Sequence, residues 1–199
     1  MTKIPAAVYA ESTPNPNTMK FVVNMMFTET QRFEFTDMEQ AKVSPLAEKL
    51  FAFPFVTGIF ITSNFITVTK NDMVPWDEVV IEEREFIQNE LRSGTPVVTD
   101  DAVAVAEELA PAPLQSHAAT DSEIDKKIIE ILDEYVKPGV ESDGGHIAFQ
   151  RFEDGIVHVL LQGSCSGCPS STMTLKAGIE GLLKNMLPDQ ITSVEAVNG

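Results

Sequence analysis

Between residues 96 and 121 the chain holds Pro96, Pro111 and Pro113, five acids and many alanines, and no lysine or arginine. Such a run offers little apolar surface to bury, and its like charges keep it extended. It divides the 199 residues into an N-terminal stretch, 1–95, and a C-terminal one, 122–199. One continuous core through the whole chain is therefore excluded, and two small domains are expected. At 43% apolar residues the chain has enough material to build both cores. The run between them is expected to be a flexible acidic linker.

Each stretch predicts an α+β domain, a mixed sheet packed against helices. In residues 1–95, Met19–Phe27 and Gln31–Phe35 read as strands around a turn at Thr28–Thr30. Pro45–Phe51 reads as a short helix, because Ser44 can cap it and proline suits the first helical position. Gly58–Ile61 and Phe65–Thr69 form a hairpin turning at Ser63–Asn64, and Phe51, Phe53, Phe55 and Phe60 are assigned to the core. Trp76–Arg92 is helical, with Val79, Val80, Phe86, Ile87 and Leu91 near helical spacing and Gly94 as its stop.

Residues 122–199 read as an αββαβ unit. Ser122 caps a helix striped by Ile124, Ile128, Ile131, Leu132 and Tyr135, and Pro138 and Gly139 end it. Strands His146–Phe152 and Ile156–Leu161 flank a tight turn at Glu153–Asp154–Gly155. Ser170–Met186 is a helix with Leu175, Ile179, Leu182, Leu183 and Met186 on one face, and Ile191–Val197 is a last strand.

Charge narrows the partners. A net charge of -16 repels phosphate backbones and anionic lipid, so neither nucleic acid nor a membrane surface is expected. No apolar run reaches the roughly 20 residues of a spanning helix. The N-terminus shows neither a secretory signal nor the arginines of a transit peptide. Both cysteines sit in one CxxC, so there is no disulfide framework, and a reducing, cytoplasmic location is expected.

The chemistry concentrates at Gly163-Ser-Cys-Ser-Gly-Cys-Pro169, between a predicted strand and a predicted helix. Cys168 falls just before that helix, where unpaired N–H groups and the helix dipole favour a thiolate and an adjacent anion. Three readings of Cys165 and Cys168 stay open on these residues. A dithiol–disulfide oxidoreductase would use the pair directly, although this unit is short for a thioredoxin-like fold. Zinc or an iron–sulfur cluster would need about four protein ligands, and one chain supplies two thiols. A closed site then requires a second chain at the same loop, or an external thiol. An incomplete site shared in this way is easy to open, which suits transfer.

Upstream, Asp143-Gly144-Gly145 reads as a turn before a strand. His146 is expected to be a partly exposed strand residue, His158 to face the less buried side of its strand, and His117 to be solvated in the linker. None makes a ligand pattern with the cysteines. The string Thr13-Pro-Asn-Pro-Asn-Thr18 reads as a rigid loop, divided between a structural role and partner recognition. No phosphate loop, Ser/His/Asp arrangement or acid–base pair is present, so no enzyme activity is expected.

The segment from Val136 to Leu183, with Pro138, Asp143-Gly144-Gly145 and Gly163-Ser164-Cys165-x-x-Cys168-Pro169, closely resembles the C-terminal domain of the Nfu (NifU-like) family. Thr13-Pro-Asn-Pro-Asn-Thr-Met-Lys-Phe21 resembles the family's N-terminal domain. The resemblance implies a non-catalytic iron–sulfur scaffold or carrier. Cys165 and Cys168 would be the metal ligands of a [4Fe–4S] cluster shared between two chains of a homodimer. Apo iron–sulfur proteins and cluster-assembly factors would be its partners, and the Asp-Gly-Gly turn would lie near the cysteine loop. The family commonly has an acid after that turn, where this chain has His146.

Overall fold

The computed structural model describes residues 5–28, 31–99, 123–166 and 169–198. The chain divides into two compact units, residues 1–110 and 111–199. Each has its own sheet, helices and apolar core, the α+β class expected.

The first unit is a five-stranded antiparallel sheet in the order β1-β2-β5-β4-β3. Its strands are β1 (Val8–Ser12), β2 (Thr18–Val23), β3 (Arg32–Phe35), β4 (Val56–Thr62) and β5 (Phe65–Lys70). Alternation along them sends Phe21, Phe33, Phe35, Ile59, Ile61 and Ile66 into one core. Helices α1 (Pro45–Leu50) and α2 (Trp76–Ser93) supply Leu46, Leu50, Val79 and Ile87 to it.

Ser44 caps α1 as expected, accepting from the Ala47 N–H at 3.1 Å, and Gly94 is the C-cap of α2. Of the four phenylalanines assigned to the core, Phe55 is buried there and Phe51 and Phe53 pack at its margin. Phe60 is also buried, but it alternates with Ile59 and Ile61 and meets Phe65 at a centroid distance of 6.2 Å.

Two features differ from expectation. β2 and β3 do not form a hairpin; β2 pairs with β1 and β5, and β3 lies at the far edge beside β4. The β4–β5 hairpin intervenes, and its Ser63 carbonyl accepts from the Phe27 N–H at 2.6 Å as the chain crosses. Strand β1 was not expected, because only Val8 of its five residues is buried and no alternation marks it.

The loop into β2 satisfies its own polar groups. The Asn15 side-chain oxygen accepts from the Asn17 N–H at 3.0 Å, its carbonyl accepts from Thr18, and the Pro16 carbonyl accepts from the Trp76 indole at 3.1 Å. After α2, Val97 and Val98 pack on the first core, and the Thr99 N–H donates to the Val43 carbonyl at 3.1 Å. The expected linker lies outside the described residues from position 100 onward, and His117 with it.

The second unit is a three-stranded sheet, β6 (Gly145–Glu153), β7 (Ile156–Gly163) and β8 (Ser193–Asn198), with β7 central. β6 and β7 are antiparallel and turn at Asp154 (φ 51°) and Gly155 (φ 81°), the paired left-handed backbone of a two-residue hairpin. β8 is parallel to β7 and returns through α5 (Pro169–Met186).

The first helix of this unit departs from expectation. After α3 (Glu123–Ile131) one turn widens over Leu132–Val136, with the Lys137 N–H reaching back to the Leu132 carbonyl. The extra residue shifts the apolar stripe by one position, so Val136 is buried and Tyr135 is exposed. Pro138 does not stop the helix. It sits in the first turn of a further short helix, α4 (Lys137–Ser142), where its missing N–H costs nothing. At the end of α5, Met186 is likewise exposed and Leu187 takes the buried place.

Candidate functional site

The antiparallel register of β6 and β7 sets Gly145 directly opposite Gly163. A Cβ built on Gly145 would lie 2.7 Å from the Cys165 Sγ and 2.9 Å from the Gln162 carbonyl oxygen, closer than real Cβ atoms come. The Cys165 sulfur thus occupies the space that any side chain at position 145 would need. The Asp-Gly-Gly turn and the cysteine loop, 20 residues apart by the numbering of Gly145 and Cys165, form one site.

Ser164 fastens the two segments. Its hydroxyl donates to the Asp143 carbonyl at 2.5 Å, and its N–H donates to the Gly144 carbonyl at 3.2 Å. The loop then closes on itself, with the Ser166 N–H and hydroxyl both donating to the Gly163 carbonyl at 3.1 and 2.9 Å. The Thr172 hydroxyl, in the first turns of α5, donates to the Cys165 carbonyl at 3.0 Å. Strand end, turn and helix start are tied together around one sulfur.

Cys165 is 8% exposed and belongs to the apolar core with Ile147, Leu161 and Ile179. Serines and glycines surround it in the sequence. They do not prevent burial, because Ser164, itself buried, finds partners in the turn backbone. Burial pushes the Cys165 thiol above its ordinary range; the Ser164 hydroxyl, 3.8 Å from Sγ, pulls it back, and the Asp143 charge raises it further. Cys168, the second expected ligand, lies outside the described residues.

The histidines stand apart from the sulfur. His146 is 3% exposed rather than partly exposed, and its Nδ1 lies 3.6 Å from a Glu141 carboxylate oxygen. It follows Gly145 in a strand, so its side chain points to the sheet face opposite the one Gly145 turns toward Cys165. His158 is also buried, and its Nδ1 lies 3.6 Å from Glu195 on the parallel neighbour β8. Among the described residues, no group of three or more His, Cys, Asp or Glu could hold a metal ion. The double glycine at 144–145 signalled a close approach in the sequence. Nothing signalled the part played by Ser164.

The architecture is that of a modular protein of two small α+β units, the second seating a buried thiol on a glycine turn where a strand leads toward a helix. Comparisons with known proteins identify the family. Residues 8–94 match the family described as scaffold protein Nfu/NifU N terminal, and residues 128–195 match the NifU-like domain. The chain is 36% identical over 204 residues to the human "NFU1 iron-sulfur cluster scaffold homolog, mitochondrial", covering 98% of this chain and 76% of that protein. It is 36% identical to "NifU-like protein 4, mitochondrial" of Arabidopsis thaliana, covering 96% of this chain and 64% of that one. The Drosophila sechellia NFU1 homolog is 34% identical over 191 residues, with the same two shares of 96% and 64%. This chain therefore spans somewhat under two thirds of the length of those plant and insect relatives. It belongs to the Nfu family of NifU-like proteins.

One expectation is overturned by these relatives. Their names place them in mitochondria, which points to a mitochondrial rather than a cytoplasmic setting. The cytoplasmic reading rested on reduced thiols and on the look of the N-terminus. Reduced thiols do not separate one reducing compartment from another.

Proposed function

We propose that this protein is an iron–sulfur cluster scaffold and carrier that holds a [4Fe–4S] cluster as cargo and passes it to apo-proteins. Cys165 and Cys168 would supply two thiolates, and the same loop of a second copy the other two. The observation that carries this reading is the seat of Cys165, a soft donor held against the backbone of Gly145 at the head of a helix. Family membership and the relatives named as cluster scaffolds support it. With no group of three metal-binding side chains among the described residues, the second pair of ligands has to come from outside this set. A homodimer supplies them by symmetry.

The carrier makes and breaks metal–sulfur bonds and performs no catalysis of its own. The rival reading, a dithiol–disulfide oxidoreductase, predicts rapid turnover in a disulfide-reduction assay with no bound iron. Separate Cys165→Ser and Cys168→Ser variants are expected to lose cluster binding on anaerobic reconstitution while remaining folded by circular dichroism, with Cys165→Ser melting somewhat lower because its hydroxyl enters an apolar core. A full cluster retained by either variant contradicts the assignment.

A further inference from the structure

Helix α2 reverses the usual pattern in its middle. On its inward side Glu83 stands buried between Val79 and Ile87, while on its outward side Ile81 is 62% exposed. The fold alone would be better served by the apolar residue inside and the acid outside. Departures of this kind collect where a surface answers to function.

A lone exposed isoleucine is ordinary, but the surroundings of this one are not. Asp77, Glu78, Glu82 and Glu85, all exposed, flank Ile81 on the same outward face. No lysine or arginine stands three or four residues from any of the four, so the helix does not offset them along its own rows. Arg84 reaches Glu85 at 3.5 Å from the adjacent position. Farther along α2 the pattern is different, because Glu90 is paired with Lys49 at 2.5 Å. The helix dipole accounts for Asp77 and Glu78 in the first turn, and Glu82 and Glu85 lie beyond its reach. Met73, 72% exposed, adds a second apolar group just ahead of the helix, next to Asp72.

We infer that the outward face of α2 is a docking surface for a basic amphipathic helix of a partner protein. An apolar residue of that helix sets on Ile81, and its lysines or arginines meet the surrounding carboxylates. An apolar centre within a charged rim is the layout of a contact patch. Charge selects the occupant: a second copy would bring the same carboxylates face to face, and a nucleic acid would be repelled. The inference concerns the first unit and holds whether or not the second carries a cluster.

The probe is a fluorescein-labelled amphipathic helix of about 16 residues, with lysines around a central leucine, titrated with the full chain by anisotropy. Binding is expected at low salt and should weaken as salt rises. Ile81→Ala, which keeps helix propensity, should weaken it roughly five- to tenfold with an unchanged urea midpoint. The pair Glu78→Gln with Glu82→Gln should weaken it by about tenfold. The pair Glu130→Gln with Glu134→Gln makes the same charge change at exposed sites of the second unit and should leave binding within about twofold of wild type. Ile81→Glu separates docking from bulk attraction, because it adds an acid while removing the apolar contact. Weaker binding of Ile81→Glu supports the surface. Tighter binding overturns it, as does equal weakening by the two glutamine pairs, indifference to Ile81→Ala, or no binding at all. A wild-type chain that dimerises on its own and is made monomeric by Ile81→Ala also overturns it, in favour of a second copy.

Discussion

Glu83 lies in line with Val79 and Ile87 on the inward side of α2, and neither carboxylate oxygen has a hydrogen-bond partner among the described residues. Burial pushes its pKa from the ordinary 4.5 up to about 8. The folded protein keeps this group neutral while the unfolded chain ionises it. Its penalty is absent below about pH 4.5, grows by up to roughly 1.4 kcal/mol per pH unit, and levels off above about pH 8. Glu83→Gln is therefore expected to match wild type in acid and to be more stable from neutral pH upward, by a few kcal/mol near pH 8. Urea midpoints measured across this range check it, and parallel curves for the two proteins contradict it. In the sequence Glu83 stands in Ile81-Glu-Glu-Arg-Glu85, which reads as a solvated face. The spacing 79–83–87 places it inside, but a charged residue at that spacing is ordinarily assigned to the surface. Cys165 was hidden for a related reason: polar neighbours suggest exposure, and only the turn from the other strand shows where their hydrogen bonds go.

Single residues also decide how elements are held. Ser44 caps α1 through the Ala47 N–H and donates its own hydroxyl proton to the Val97 carbonyl at 2.5 Å, from a fully buried position. Ser44→Ala should lower stability by about 2 kcal/mol, combining a lost cap with a part-buried carbonyl left without its donor. Faster amide exchange at Ala47 and at Thr99 would mark both losses, and an unchanged urea midpoint would contradict the account. The cap and the turn at Glu153–Asp154–Gly155 were legible because each is written within a few neighbouring residues. The pairing of β2 with β5 instead of β3 was not, since it depends on partners more than 40 residues apart, as at Met19 and Val68. The widened turn at Leu132–Val136 was also hidden. It moves the buried position from Tyr135 to Val136, a one-residue slip that a fixed helical period cannot register.

At the scale of the molecule, two units with separate cores flank residues 100–122, and the candidate chemistry falls in the second. The motif residues of that site were legible from the CxxC and the Asp-Gly-Gly string, and the structure brings Gly145, Ser164 and Cys165 together. What spacing could not show is that the sulfur faces inward. A chain with two cysteines cannot complete a four-thiolate shell alone, so the central claim is one of stoichiometry. The most direct test is anaerobic reconstitution of the wild-type chain with iron and sulfide, followed by iron and sulfide analysis and mass measurement on one sample. The account predicts a brown dimer with about four irons and four sulfides per two chains. A colourless monomer that binds no iron and cycles freely between dithiol and disulfide would contradict it.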